Sequence, residues 1–275
     1  MLIPKSMTIF SVEILCIGNE LLSGITVNTN AHWLSQKITE SGACVKRITI
    51  VRDDVDEISL EIKESLARKP KWLIISGGLG PTYDDKTLKG LAMSVGVALA
   101  LDNRAVEMLR KSYSRYLANY YELNEIQLKM ATIPTGSIPI QNPVGTAPSV
   151  LIETAETNII CLPGVPKELQ AIFLERILPQ IKKIIGDFHI TESSHEVIGV
   201  TEGMLGPILN KIVESNLPDS IYLKTHPRGH TSDNKPMLLV HIVSRGRDKS
   251  EVEARYNNIS RMMLEEIGRL GGKIL

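Results

Sequence analysis

Hydrophobic and polar positions follow two rhythms along this chain, and the change between them divides it. Residues 12–17, VEILCI, form a short apolar run that stops at Gly18. That pattern predicts a buried strand. Asn28-Thr29-Asn30 supplies N-cap chemistry for a helix with Ala31, Leu34 and Ile38 on one face and Gly42 as its stop. CVKRITIV, 44–51, predicts a second strand, Asp53-Asp54 opens a helix over about 56–68, and Pro70 ends it. WLIIS, Trp72 to Ser76, predicts a third buried strand that runs into Gly77-Gly78-Leu79-Gly80-Pro81-Thr82, with a helix from about Lys86. Strand and helix alternating in this way predict an α/β fold whose parallel sheet is covered on both faces.

A long helical stretch is expected over 103–130. Six prolines between 134 and 166 then forbid a sustained helix, and SVLIE and NIICL flank a polar turn, the pattern of a hairpin. Pro166 opens a helix to about Lys183. Near Gly186-Asp187 the rhythm breaks. Strands over 194–200 and 220–225, a helix over 203–215, a polar loop HPRGHTSDNKP, a strand MLLVHIVS and a helix over 249–270 read as βαββα. The expected domains are therefore 1–188 and a small α+β domain at 189–275.

Composition narrows the function classes. Lys plus Arg and Asp plus Glu are 31 each, so the net charge is zero and a strongly basic nucleic-acid coat is excluded. Aromatics at 4% leave little material for base-stacking platforms. Cys16, Cys44 and Cys161 each lie in or beside an apolar run and read as reduced core thiols. No apolar run is long enough to span a membrane and no signal-peptide pattern stands at the N-terminus, so the expected compartment is the cytoplasm.

GGLGPTYDD, Gly77 to Asp85, is the richest candidate for chemistry. Glycines between a strand and a helix let backbone amides approach an anion such as phosphate. Thr82 adds a hydroxyl, and the position is the carboxyl end of a strand, where open α/β sheets bind ligands. Asp84 and Asp85 would repel a bare phosphate, but a divalent cation such as Mg²⁺ bridges carboxylate and phosphate oxygens. Asp85 reads equally as the N-cap of the helix from Lys86. GNELLSG offers Gly18 and a carboxylate, Glu20, for a metal or a ribose hydroxyl, or as a plain solvated acid. Asn28-Thr29-Asn30 exceeds what one cap needs, and Asp53 serves a site or a helix start. NPVGTAP (Asn142 to Pro148) and LPGVPKE (Leu162 to Glu168) are rigid turns with free donors or simple hairpin geometry.

GNELLSG, VNTNA, VRDD, GGLGPTYDD, NPVGTAP and LPGVPKE stand in the order and approximate spacing of the CinA family (competence/damage-inducible protein CinA), and the chain resembles it over about 10–185, more weakly beyond. That family's N-terminal domain is related to the molybdopterin-binding domain of molybdenum-cofactor biosynthesis proteins. The resemblance implies a three-layer αβα fold and a metal-dependent nucleotide pyrophosphatase that splits ADP-ribose or a similar compound into AMP and ribose 5-phosphate, with a molybdopterin-binding protein or a non-catalytic nucleotide-binding module as alternatives. It implies Asp85, Asp84 and Asp53 as catalytic residues and Asp85, Asp84 and Glu20 around Mg²⁺, Mn²⁺ or Co²⁺. It assigns the small phosphorylated ligand to Gly18, Glu20, Asn30, Gly77, Gly78, Gly80, Thr82, Asn142, Gly145, Thr146, Gly164 and Lys167. The small domain resembles the family's KH-like module, with Gly203-Met204-Leu205-Gly206 matching the letters of a nucleic-acid loop but lacking Lys or Arg. Nucleic acid is not the expected partner; a homodimer is the expected assembly. The further deamidase domain of full-length members is not expected in this chain, so its action on nicotinamide mononucleotide is not carried over. Ser149 stands where the family often has Gly.

Overall fold

The computed structural model describes residues 10–115, 122–214 and 220–275. The chain forms two compact units, Met1–Ile184 and Ile185–Leu275. The first runs β1 (Ser11–Ile17), α1 (Asn19–Leu22), α2 (Thr29–Glu40), β2 (Cys44–Val51), α3 (Val55–Ala67), β3 (Trp72–Ser76), α4 (Thr87–Val95), β4 (Leu99–Leu101) and α5 (Asn103–Tyr113). It continues with α6 (Glu125–Leu128), β5 (Thr132–Pro134), β6 (Ile138–Ile140), β7 (Ser149–Glu153), β8 (Asn158–Leu162), α7 (Pro166–Ile172) and α8 (Leu178–Ile185).

The main sheet has the order β2-β1-β3-β8-β7-β6. β2, β1, β3 and β8 are parallel, and the expected hairpin adds β7 and then β6 antiparallel, so the sheet is mixed. β1 and β3 are central and almost wholly buried, which is why their sequences are mainly apolar, with Glu13 the one acid in β1. On one face Leu15, Ile17, Leu73 and Ile75 pack with Ile58 and Ile62 of α3 and Leu88 and Leu91 of α4. α2 buries Ala31, Leu34 and Ile38, as its periodicity predicts. Its Trp33 meets Phe173, in a π-helical segment between α7 and α8, edge-on at 5.6 Å. Helices thus flank the sheet in three layers. Cys16 and Cys161 are buried free thiols, and burial raises the pKa of both.

The stretch 103–130 is not one helix. α5 ends at Tyr113, residues 116–121 lie outside the described residues, and Asn124 starts a new turn. There the Asn124 side chain accepts from the Gln127 amide while Gln127 reaches back to the Asn124 amide. That capping box ends one helix register and begins another. Ser149, fully buried, opens β7 with a hydroxyl that has no partner among the described residues.

The second unit holds β9 (His189–Ile198), α9 (Glu202–Glu214), β10 (Ile221–His230), β11 (Pro236–Gly246), α10 (Lys249–Arg269) and β12 (Lys273–Ile274), with sheet order β10-β11-β9-β12. The small terminal strand was not legible in the sequence. HPRGHTSDNKP is mostly strand: β10 runs on to His230 through a bulge at Pro227–Gly229. Pro227 is tolerated because β10 is an edge. Leu205, Ile259, Met263 and Ile267 pack on Val197, Leu238, Val240 and Ile242. Gly203-Met204-Leu205-Gly206 lies inside α9, with Leu205 fully buried, so these letters form a helix rather than a nucleic-acid loop.

Candidate functional site

Each of the four parallel strands delivers residues to one cleft of about 290 Å³ at its carboxyl end. β1 leads to Gly18 and Glu20, β2 to Asp53, β3 to Gly77, Gly78, Asp84 and Asp85, and β8 to Gly164. α2 adds Asn30 from its first turn. This is the switch region of an open sheet, where the chain leaves β1 first for β2 on one side and then for β3 on the other.

The β3–α4 loop sets the geometry. Gly77 has φ 106° and Gly78 φ 65°, both in the region that favours glycine. The Gly77 amide donates to Leu162 O at 3.0 Å, so it is not available to a phosphate. The amides of Gly78 and Gly80 have no acceptor among the described residues. Asp85 is not the helix N-cap. Lys86 holds that position, and Asp85 Oδ2 instead accepts from the Thr82 amide at 2.8 Å and the Thr82 hydroxyl at 2.6 Å. The same hydroxyl lies 2.5 Å from Asp84 Oδ1. Thr82 thus serves the two carboxylates rather than a ligand, and its hydrogen bond holds Asp84 below the usual carboxylate range. One hydroxyl proton serves only one of two acceptors. The two carboxylates are therefore held close with incomplete compensation, an arrangement a cation relieves.

Asp53 Oδ2 accepts from the Asn19 amide at 2.8 Å. Asn30 Nδ2 donates to Ser76 Oγ at 3.1 Å and to Gly164 O at 2.8 Å, pinning α2 to the ends of β3 and β8. Its Oδ1 is buried without a partner among the described residues. Ser76 was missed in the sequence, although its place as the last residue of a buried strand before two glycines marks it.

Six expected residues do not line this cleft: Gly80 and Thr82 in the β3–α4 loop, and Asn142, Gly145, Thr146 and Lys167 farther along the chain. Asn142 is buried inside its own turn: Oδ1 accepts from the amides of Val144 and Gly145 at 3.1 and 2.7 Å, and Nδ2 donates to Ala147 O at 3.0 Å and Glu168 Oε2 at 2.6 Å. Gly145 lies against the Glu168 carboxylate, where a side chain would collide. Neither they nor Thr146 and Lys167 line the cleft. Their turn is a brace for α7.

Burial raises the Glu168 pKa, against a smaller opposite effect from Asn142. A raised carboxylate binds its proton more tightly when folded. Stability from this group is therefore present below its unfolded pKa of about 4.3 and lost as pH rises through the folded value. Glu168→Gln is expected to raise Tm by roughly 1–3 °C at pH 7–8, the gain vanishing near pH 4. Thermal melts across that range check it; a pH-independent gain removes the ionisation of Glu168 as the cause.

Metal fit follows from the donors. Among the described residues no three His, Cys, Asp or Glu side chains form a group able to hold a metal ion, so Asp85, Asp84 and Glu20 are not a ready cage. Carboxylates alone suit a hard cation that takes one or two protein oxygens and completes its shell with water and phosphate, the habit of Mg²⁺.

Residues 13–183 match the family described as "Probable molybdopterin binding domain". The chain belongs to this molybdopterin-binding domain family. Similar proteins span nearly all of it: one of Sulfolobus acidocaldarius is 40% identical over 263 residues, covering 95% of this chain and 96% of that protein. One of Sulfurisphaera tokodaii is 38% identical over 270 residues, covering 98% and 99%. Among solved structures, the molybdopterin-binding domain here resembles the protein CinA with unknown function from Thermoplasma acidophilum. The two are 39% identical with a TM-score of 0.55, over 64% of this chain and 98% of that one. The CinA resemblance carried by the motifs therefore holds. No helix among the described residues is long and apolar enough to cross a membrane.

Proposed function

We propose that the first unit binds a phosphorylated pterin of the molybdopterin type in the cleft at the ends of β1, β2, β3 and β8. Family membership supports the ligand class. One observation carries the chemistry: Glu20, Asp53, Asp84 and Asp85 surround the same space as the glycine loop. The Gly78 amide would face a phosphate oxygen, and Asp84 and Asp85 would hold a divalent cation that completes its shell with water and phosphate oxygens. Such an ion neutralises phosphate charge and activates bound water. Asn30 Oδ1 accepts from the ligand or its water.

The test is the pterin content of purified protein, oxidised and read by fluorescence, beside Asp85→Asn. Asparagine keeps an acceptor for Thr82 and removes the charge. We expect bound pterin in the wild type and a loss of roughly 100-fold in affinity in the variant at unchanged Tm. Protein that neither carries nor takes up a pterin phosphate sinks the reading.

The acidic lining favours a second reading, metal-dependent hydrolysis of ADP-ribose or a related compound to AMP and ribose 5-phosphate. Here Asp85, Asp84 and Asp53 would act around Mg²⁺, Mn²⁺ or Co²⁺. AMP release that needs both metal and Asp85 would favour it; its absence with all three metals would leave the binding reading alone.

A further inference from the structure

A second cavity, of about 390 Å³, lies on the other flank of the glycine loop. Gly78 and Asp85 belong to both cavities, so only the loop separates them. Their linings differ in kind. The acidic cleft is mostly polar, whereas this one is walled by Leu88, Leu99, Leu101 and Leu128. Three of these also border the main core: Leu88 belongs to it and Leu99 and Leu128 pack against it, which fixes the wall. Leu101, at the end of β4, is 52% exposed. Polar groups of both kinds stand among the leucines: the Glu125 carboxylate accepts and the Lys129 ammonium donates, while the Thr132 hydroxyl donates to Leu128 O at 3.0 Å and offers a ligand only its lone pairs. Lys129 also donates to the carbonyl of Thr82, tying this cavity to the segment that holds Asp84 and Asp85. Burial lowers its pKa. An apolar wall with a few convergent donors and acceptors is the lining of a small-molecule site.

We propose that this cavity takes the nitrogen-heterocycle ring of a ligand whose phosphate lies in the acidic cleft, Leu88, Leu99, Leu101 and Leu128 covering the ring faces and Glu125 and Lys129 meeting its polar edge. The proposal rests on the phosphate reading above and places the ligand's heterocycle across the glycine loop from its phosphate. A bare sugar phosphate fills one cavity, and a ring-bearing phosphate fills both. None of these residues carries a local sequence signal, because the wall is assembled from α4, β4 and α6.

The experiment compares affinities with Mg²⁺ present. Ribose 5-phosphate is the probe without a ring; AMP and neopterin monophosphate are the probes with a purine and a pterin. At least one ring-bearing probe is expected to bind roughly tenfold or more tightly than ribose 5-phosphate. Leu101→Glu, which puts a charge on the wall at a half-exposed position, is expected to erase that advantage. Leu101→Ser does the same more mildly if glutamate disturbs β4. Equal affinity for all three probes, or an advantage that survives both variants, overturns the ring site while leaving the phosphate reading intact. If none of the three binds, the phosphate reading falls and the ring site with it.

Discussion

Replacing Arg68 by Ala is expected to cost about 3–5 kcal/mol of stability. Arg68 ends α3, and its guanidinium reaches back under the sheet to Glu13, which is 5% exposed in the middle of β1. Nε and Nη2 both donate to that carboxylate, at 2.9 and 2.8 Å, and Nη2 also meets Glu61 at 2.9 Å and Ser65 Oγ at 2.9 Å. Removing the cation leaves the Glu13 charge buried with its partner gone, which is the expensive way to break such a pair. Removing both charges is different. A Glu13→Leu/Arg68→Met double variant fills the volume with apolar atoms and is expected to recover most of the loss. Urea unfolding of the single and double variants checks it. A single-variant cost below about 1 kcal/mol would place Arg68 with ordinary surface pairs.

Glu13 shows why parts of the fold were legible and others not. The run VEILCI reads as a buried strand despite its acid, because five apolar neighbours outweigh one carboxylate. Which arginine neutralises that acid lies 55 residues away and has no local signature. The same holds across the site. The loops that end β1, β2, β3 and β8 were readable because a glycine or acid after an apolar run is a local event, and the parallel topology then brings them together. Asn142 and Gly145 read as ligand groups because a turn built around a buried amide looks, in sequence, like a loop with free donors; in the structure the Asn142 amide is spent on its own turn and on Glu168. Its partner Glu168 is visible only in three dimensions. Lys129 lies within the stretch whose pattern predicts one long helix, and nothing local marks its contact with Thr82, 47 residues earlier. Asn124 and Gln127 carried the information that breaks that helix, but a capping box inside a run of good helix formers competes with continuation until packing decides.

Gly77→Ala is expected to cost about 3–5 kcal/mol and to abolish ligand binding, whereas Gly24→Ala is expected to cost about 1 kcal/mol. The two positions separate backbone conformation from close approach. Gly24, in the loop between α1 and α2, has φ 73° with nothing within 4 Å of a methyl group added there. Alanine at Gly24 therefore meets the penalty of a left-handed φ and no more. Gly77 has φ 106°, and its methyl would be driven into the carbonyl oxygen of Ile17, the last residue of β1. A backbone oxygen inside a central strand does not swing aside as a side chain would, so the loop must move instead. Moving it breaks the Gly77 amide bond to Leu162 O at 3.0 Å and the Thr87 hydroxyl bond to Gly77 O at 2.7 Å. Those two bonds hold the glycine loop to β8 and α4, and with them go the positions of the Gly78 and Gly80 amides and of Asp84 and Asp85. Denaturation midpoints for both variants, with pterin or nucleotide phosphate binding measured on each, decide the matter. Equal costs at the two glycines would mean that the approach to Ile17 contributes nothing. A stable Gly77→Ala that still binds would mean that the loop is not the phosphate cradle.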